Sequence, residues 1–466
     1  MPLRFHNTYS QQLEEFQPLD GHTVRMYTCG PTVYHYVHIG NFRTFAFQDV
    51  LRRTLRLRGF ALDHVMNITD VEDKIIRNAM ERGLSLDDYT RQYTEAFLED
   101  SAKLRLEKPE RLVFATHHID DMVRMIEGLA GKNHTYSSDG SVYFRIGSFP
   151  EYGRLSKINL AGNIAGARVD VDEYEKDDAR DFVLWKAQKA GEPGWDTSIG
   201  CGRPGWHIEC SVMAMKYLGE TIDIHTGGVD LVFPHHENEI AQSEAFTGRR
   251  FVRYWLHAEH LMVEGQKMSK SLGNFFTLRD ILDRGYSPEA IRYLLISAPY
   301  RKQLNFTFDG LKAAATSIDR LRNFQIRLEN TRFNSGLNEE FEARTAAARQ
   351  AFDAGLDDDL NTADALAAIF EFIRDANTAM DAGHFLQGNL DSARDLLTLF
   401  DAVFDVLRPS LQDGALSDSE IESLAAERTA AKKARDFARA DAIRAQLLEQ
   451  GVILEDTRDG VRWKRK

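Results

Sequence analysis

Residues Thr23–Cys29 (TVRMYTC) read as a short strand, and a Gly30-Pro31 turn stops them. From Asn41 the apolar period changes. Phe42, Phe45, Val50, Leu51 and Leu55 fall at helical spacing until Gly59. Leu62–Ile68 then reads as a second strand. Antiparallel strands need only a tight turn between them, whereas a helix in the connection marks a parallel crossover. The order strand, helix, strand therefore predicts a βαβ unit and an α/β domain on a parallel sheet.

The same signals return later in the chain. Pro204–Tyr217 is a helix candidate ended by Gly219, and Thr221–His225 is a strand leading into Gly227-Gly228. Pro234 is expected at the first position of a helix running to about Phe246. Tyr254–Val263 reads as a further strand. Residues 116–202, with the hairpin-like string SSDGSVYFRI and several Gly and Pro breaks, read as an insertion between the two halves of the sheet domain. Beyond about residue 310 the chain turns helical: Glu339–Gly355 and Ala363–Ala382 are rich in Ala, Leu, Glu and Arg, with Asp357-Asp358-Asp359 as the connection. Arg52, Arg53, Arg56 and Arg58 read as the outer face of a helix. The softest boundary is Gly414–Ser419.

Composition narrows the function classes. The 466 residues are 43% hydrophobic and 28% charged, which excludes a disordered chain and a disulfide-stapled mini-protein. The net charge of −13 argues against a general nucleic-acid coat but leaves room for a local basic patch. Glu427–Lys466 is such a patch, with 11 basic and 7 acidic residues. The three cysteines, Cys29, Cys201 and Cys210, are too few for a disulfide framework, so reduced thiols and a cytoplasmic location are expected. Met1–Asp20 lacks the basic-then-apolar order of a signal peptide, and no apolar run reaches the ~18 residues of a membrane span.

Three motifs carry possible chemistry. His38-Ile39-Gly40-Asn41 stands between a strand end and a helix start, where unpaired N–H groups and the helix dipole favour a phosphate. Gly40 permits close backbone approach, though the string also suits a simple turn cap. Lys267-Met268-Ser269-Lys270-Ser271 is a short cationic loop, able to close on a triphosphate or to lie solvated at the surface. His235 and Glu239 are four apart on one expected helix, and with Cys29 and Cys210 they make a Cys₂-His-Glu set of the kind zinc accepts. His236 and Glu237 compete as ligands but should point off that helix face, and His225 reads equally well as a core or loop histidine.

The strings MYTCGPTVY (Met26–Tyr34), NITDVEDKI (Asn67–Ile75), GRPGWHIECS (Gly202–Ser211), FPHHENEIAQSEA (Phe233–Ala245) and KMSKSLGNFF (Lys267–Phe276) together resemble the cysteinyl-tRNA synthetases, within class I of the aminoacyl-tRNA synthetases. The resemblance runs over the whole chain, including DDDLNTADA from Asp357. It implies an α/β Rossmann-like catalytic domain in two halves, residues 1–115 and 203–310, with a connective insertion over 116–202. A helical bundle over 311–413 and a small C-terminal anticodon-binding domain over 414–466 would follow. By the same resemblance Cys29, Cys210, His235 and Glu239 would hold one Zn²⁺, and Cys29, Thr69, Trp206, His225 and Asp230 would line the amino-acid pocket. His38, Gly40, Asn41, Lys267 and Lys270 would bind ATP with its Mg²⁺, and all of these but Gly40 would stabilise the transition state. The family's usual nucleotide string ends in His where this chain has Asn41. Arg462, Trp463, Lys464 and Arg465 pair cations with an aromatic ring and would contact tRNA.

The implied partners are L-cysteine, ATP and tRNA(Cys), with no membrane contact and a monomeric chain. The implied reaction is formation of cysteinyl-adenylate with release of pyrophosphate, then transfer of cysteine to the 3′ end of the tRNA. Cysteine ligases acting on aminosugars share the catalytic half but generally lack the C-terminal domain. Degenerate RNA-binding copies tend to lose a zinc ligand or the lysine string, all present here.

Overall fold

The computed structural model describes residues 2–158, 181–269, 272–410, 416, 418–457 and 460–465. The chain divides into two compact units, Met1–Val406 and Leu407–Lys466. In the first unit five strands, β1 (Thr23–Thr28), β2 (Ala61–Ile68), β3 (Arg111–Phe114), β4 (Ile222–Gly228) and β5 (Val252–Ala258), form one sheet in the order β5-β4-β1-β2-β3. Every pairing is parallel. This is the doubly wound order, whose ligands bind outside the carboxyl ends of the strands where the order reverses. Here the reversal lies between β1 and β4, with Thr28 opposite Thr226.

Helix α1 (Ile39–Leu57) is the expected crossover, and Phe42, Phe45, Val50, Leu51 and Leu55 are all buried. Its start is capped by the His38 side chain, which accepts from the Asn41 N–H. The insertion forms an antiparallel sheet of Thr135–Ser138, Ser141–Phe144, Phe182–Ala187 and Gly202–Pro204. Its first hairpin turns on Asp139 (φ 48°) and Gly140 (φ 76°), the positive pair that a two-residue type I′ turn requires.

Four local expectations are corrected. The helix placed at Pro204–Tyr217 begins at Trp206 (α2, Trp206–Leu218), because Gly202–Pro204 pairs with Trp185–Ala187 as an edge strand. Pro234 does not start an α-helix. It lies inside a wide turn, Val232–His236, and α3 is Glu237–Thr247. The strand expected over Tyr254–Val263 is two strands: after β5 the Glu259 N–H donates to the Tyr300 carbonyl, and Leu261–Val263 pairs with Leu304–Phe306.

The arginines of α1 are also not an outer face. Arg52 is buried against Glu107, Glu110 and His64, and only Arg56 is largely exposed. Arg53 bridges Asp49 and Asp405, and Arg58 bridges Asp353 and Asp357. They bind the sheet domain to the helical region of Phe308–Asn330, Glu339–Asp357, Thr362–Asp381 and Leu390–Phe404. The three connecting aspartates face the same way. Asp358 pairs with Arg4 at 2.7 Å, and Asp359 accepts from the His6 N–H and the Tyr300 hydroxyl.

The second unit holds helices Asp418–Lys433 and Phe437–Glu449 and an antiparallel pair, Val452–Thr457 with Gly460–Arg465. Ile421, Ile443, Leu447, Val452 and Leu454 form its core, and Trp463 packs against them.

Arg292 ties these layers together in the first unit. Its guanidinium donates to Asp49 (2.5 Å), to the Phe404 carbonyl and to the Leu104 carbonyl, with Arg292 and Asp49 only 1% and 2% exposed. Burial would raise the Asp49 carboxyl, but Arg292 and Arg53 hold it below its usual value. The stabilisation is therefore present above an ordinary carboxylate pKa of ~3.9 and lost as pH falls through the folded value. Arg292→Ala should destabilise the first unit by about 3–5 kcal/mol in urea unfolding, and the wild type should lose part of its margin only below about pH 4. An unfolding midpoint unchanged by the substitution would contradict the clamp.

Candidate active site and metal centre

The carboxyl ends of β1 and β4 bring together residues far apart in sequence. Cys29 follows β1, Cys210 lies on α2, His225 is on β4, His235 is in the turn before α3, and Glu239 is on α3. Cys29, Cys210, His235 and Glu239 are buried, with one donor atom each inside a span of 4.8 Å. The two sulfurs are 3.9 Å apart, and His235 Nε2 is 3.1 Å from Glu239 Oε1. Sulfurs ~2.3 Å from a tetrahedral metal lie ~3.8 Å from each other, so the pair is already spaced for a shared ion. The donor set, two thiols with an imidazole and a carboxylate, suits a soft or borderline metal.

The electrostatics agree with such a set. Burial and the bond to Cys210 push the Cys29 thiol well up. Burial would also raise Cys210, but the hydrogen bond from Cys29 and nearby His235 draw it down to about 6. Burial would lower His235, yet the charges of Cys210 and Glu239 carry it up to about 10. Glu239 stays below its usual range despite complete burial, because His225 and His235 face it.

His236 departs from the helical-wheel expectation. It turns inward, with Nε2 3.4 Å from Cys29 Sγ and Nδ1 2.7 Å from His257 Nε2. Cys29, His225, His236 and Glu239 make a second set that meets the same spacing. The wheel fails because Val232–His236 is not α-helical. His257 continues the chain of contacts to Thr8, and His207 meets His235 at 2.9 Å. The adjacent pair His235-His236 and the local excess of histidine were the available signals for these residues.

The expected amino-acid pocket falls around this cluster. Trp206 stacks on His235 with ring centroids 4.2 Å apart. His225 bonds Glu239 at 2.9 Å through Nε2. Thr69 is buried at the end of β2 and reaches Glu209 at 3.3 Å, with Asn67 donating to its hydroxyl. Asp230 is exposed, just beyond β4. Gly30 cannot be replaced cheaply, since a Cβ there would stand 1.7 Å from the Asn67 carbonyl oxygen. The turn after β1 must pass that close for Cys29 to reach the cluster.

The two strings expected to bind the nucleotide also meet. His38 Nδ1 accepts from the Asn41 N–H at 3.2 Å, which turns the other ring nitrogen, Nε2, away from the helix start. The Ile39 N–H donates to the Phe276 carbonyl, and a Cβ at Gly40 would meet Met268 Cε at 3.1 Å. The lysine loop thus lies on the α1 N-terminus. Asn274 shapes it, accepting from the Ser269 N–H and donating to the Lys267 carbonyl. Lys267 and Asn41 are exposed. Lys270 lies outside the described residues, as do the side chains of Arg462, Lys464 and Arg465.

Comparison with known proteins gives a consistent answer. Residues 15–316 match the family described as "tRNA synthetases class I (C) catalytic domain", and residues 351–408 match "DALR domain". Among solved structures, a Mycobacterium tuberculosis methionyl-tRNA synthetase in complex with methionyl-adenylate shares the fold, with a TM-score of 0.60, 14% identity and coverage of 83% of this chain and 90% of that chain. The doubly wound sheet and the family match together define a class I tRNA synthetase catalytic domain. The chain is 67% identical to the cysteine--tRNA ligase of Solibacter usitatus (strain Ellin6076), over 100% of both chains. It is 47% identical to that of Brachyspira hyodysenteriae (strain ATCC 49526 / WA1), over 99% of both. The chain belongs to the cysteine--tRNA ligase family.

The overlapping donor sets can be separated with cobalt as a probe. Cys210→Ser should weaken metal binding by more than the ~10–100-fold typical of losing an outer partner, and should reduce the sulfur-to-cobalt absorption band. His235→Asn should do the same to affinity while sparing that band per bound ion. A His236→Asn loss equal to that of His235→Asn would favour the second set.

Proposed function

We propose that this chain activates L-cysteine with ATP and transfers it to tRNA(Cys), using one Zn²⁺ held by Cys29, Cys210, His235 and Glu239. The observation that carries the reading is the buried, zinc-spaced donor set at the β1–β4 switch point, in the same unit as the His38–Asn41 turn. Zinc, when bound, supplies a soft acceptor for the substrate sulfur as thiolate, which the hydroxyl of serine cannot match at neutral pH.

The chain's own residues do the rest. Thr69, Trp206, His225 and Asp230 shape the pocket that orients the amino acid. The cysteine carboxylate attacks the α-phosphorus of ATP, the bond to the bridging oxygen breaks, and pyrophosphate leaves with Mg²⁺. His38, donating through Nε2, meets the developing phosphate charge together with Asn41, Lys267 and Lys270, while Gly40 leaves room for the nucleotide. A terminal ribose hydroxyl of the tRNA then attacks the adenylate carbonyl, and AMP departs. No protein nucleophile is required. Residues 414–466 read the anticodon in this proposal, with Arg462, Trp463, Lys464 and Arg465 in contact with RNA. The enzyme acts as a cytoplasmic monomer.

Two measurements test this. Charging of total tRNA with labelled cysteine should survive a large excess of serine and stop after removal of zinc, returning when zinc is restored. Charging that persists without metal would contradict the zinc role. Lys270→Ala should slow cysteine-dependent pyrophosphate exchange by about 10²–10³-fold while leaving bound zinc unchanged. An exchange rate close to wild type would remove Lys270 from the reaction.

A further inference from the structure

Beside the nucleotide turn lies an aromatic surface that the activation chemistry leaves unused. His35 and Tyr36 are both exposed, Tyr36 by 38%, and they directly precede the segment leading into His38. Their rings are fixed from behind. The His35 ring stacks on buried Tyr93 with planes 12° apart, and Tyr36 meets Tyr93 edge-on at 5.3 Å. The Arg279 guanidinium sits 5.1 Å from the Tyr36 ring centre. Arg279 is itself held by Glu99 and by Asp100, whose side chain is 1% exposed.

The position of this surface matters as much as its composition. Residues 35–39 run beside residues 276–279: His38 bridges Thr277, the Ile39 N–H donates to Phe276, and Arg279 covers Tyr36. The exposed rings are therefore continuous with both the His38–Asn41 turn and the foot of the lysine loop. Exposed Lys74 adds positive charge at the same edge, 5.3 Å from the ring centre of neighbouring Tyr34. Pre-ordered rings with an open face suit single-stranded nucleic acid, because every base has a face to stack, and Arg279, paired with Glu99 and Asp100, serves to position the Tyr36 ring. An acidic chain gains nothing from such a cluster by general attraction to RNA, so its worth is local.

We infer that His35 and Tyr36 form a stacking platform for the unpaired 3′ end of the tRNA, steering its last nucleotides to the nucleotide turn. The inference rests on the proposed transfer to tRNA. Stacking is sequence-tolerant, which suits a 3′ end that must bend and slide into the site, and Arg279 keeps the Tyr36 ring in place.

The test compares binding of intact tRNA(Cys) with tRNA lacking its unpaired 3′ nucleotides, for wild type, His35→Ala/Tyr36→Ala and Tyr36→Phe. The double variant should bind intact tRNA about 5–100-fold more weakly. It should bind the truncated tRNA as wild type does, so the advantage of the intact molecule disappears. Tyr36→Phe should restore most of it. Equal weakening toward both tRNAs, or no weakening toward either, would overturn the platform. A parallel fall in cysteine-dependent pyrophosphate exchange would place the rings in the activation site and would also overturn it. Failure of the wild-type chain to charge any tRNA would instead bring down the reading on which the platform rests. Thermal melting of each variant separates a folding defect, and if the double variant does not fold, Tyr36→Ala alone should lose part of the same advantage of intact tRNA, a wild-type preference in that folded variant overturning the platform.

Discussion

Glu239 is a carboxylate with no exposed surface at the mouth of a parallel sheet. An ionised carboxylate in such a place is costly unless it is paired. Two imidazoles face it, His225 at 2.9 Å and His235 at 3.1 Å, and two thiols complete the enclosure. Burial would push every one of these acids toward its neutral form, yet Glu239 and Cys210 both lie on the charged side of their ordinary values. The cluster therefore favours a positive centre, which His235 supplies in part as imidazolium. A divalent cation would meet the same need with stronger and better-directed bonds. Four elements, β1, α2, β4 and α3, each place a charged or ligating group there, so the local folding of the sheet's open end depends on that balance.

The constraint spreads through the backbone. Cys29 reaches the cluster because Gly30 lets the chain graze the Asn67 carbonyl, and the Asn67 side chain accepts from the Gly30 N–H. Asn67 also donates to Thr69, which bonds Glu209 beside Cys210. One polar chain thus runs from the turn after β1, through the end of β2, to the start of α2. On the opposite side of the sheet domain, the arginines of α1 and the aspartates at 357–359 bind the helical region to the same frame. Both ends of the strand set are held by side-chain pairs that cross between elements, rather than by loop packing alone.

Much of this was legible in the residues. Period changes from strand to helix at Asn41 and back at Leu62 mark the crossover, because a buried face imposes its period on sequence. Cys29, Cys210, His235 and Glu239 could be grouped by donor chemistry, and the structure does bring them together. The inward turn of His236 is not legible from helical spacing, because the backbone over Val232–His236 takes another form. The strand Gly202–Pro204 was missed for a different reason: three residues carry no period, and only the facing backbone of Trp185–Ala187 makes them a strand. Arg52, Arg53 and Arg58 misled because clustered charge on a helix usually faces water, while here acidic partners distant in sequence buried it.

The problem this site faces is chemical rather than steric. Cysteine and serine differ by one atom, and a pocket that discriminates by shape separates such pairs by only ~10–200-fold. Hydrogen bonding offers little more, because both side chains carry a donor and lone pairs. Softness and acidity are what differ: a thiol ionises near neutral pH in a cationic setting, and an alcohol does not. The geometry here matches that difference. Two sulfurs at tetrahedral spacing would offer a soft first coordination to a bound metal, and His236 and His257, both held below their usual pKa chiefly by burial, back the cluster as buried imidazoles. Stacked Trp206 covers His235 and leaves less room for water to compete. On the proposed reading the selectivity for cysteine is then set when the amino acid binds, before the adenylate forms, so the adenylyl-transfer and acyl-transfer steps need only positioning and charge stabilisation. On that reading the strings at His38–Asn41 and Lys267–Ser271 need only position the nucleotide and meet its charge, and the sulfur chemistry is confined to the carboxyl ends of β1 and β4 with the helices beside them.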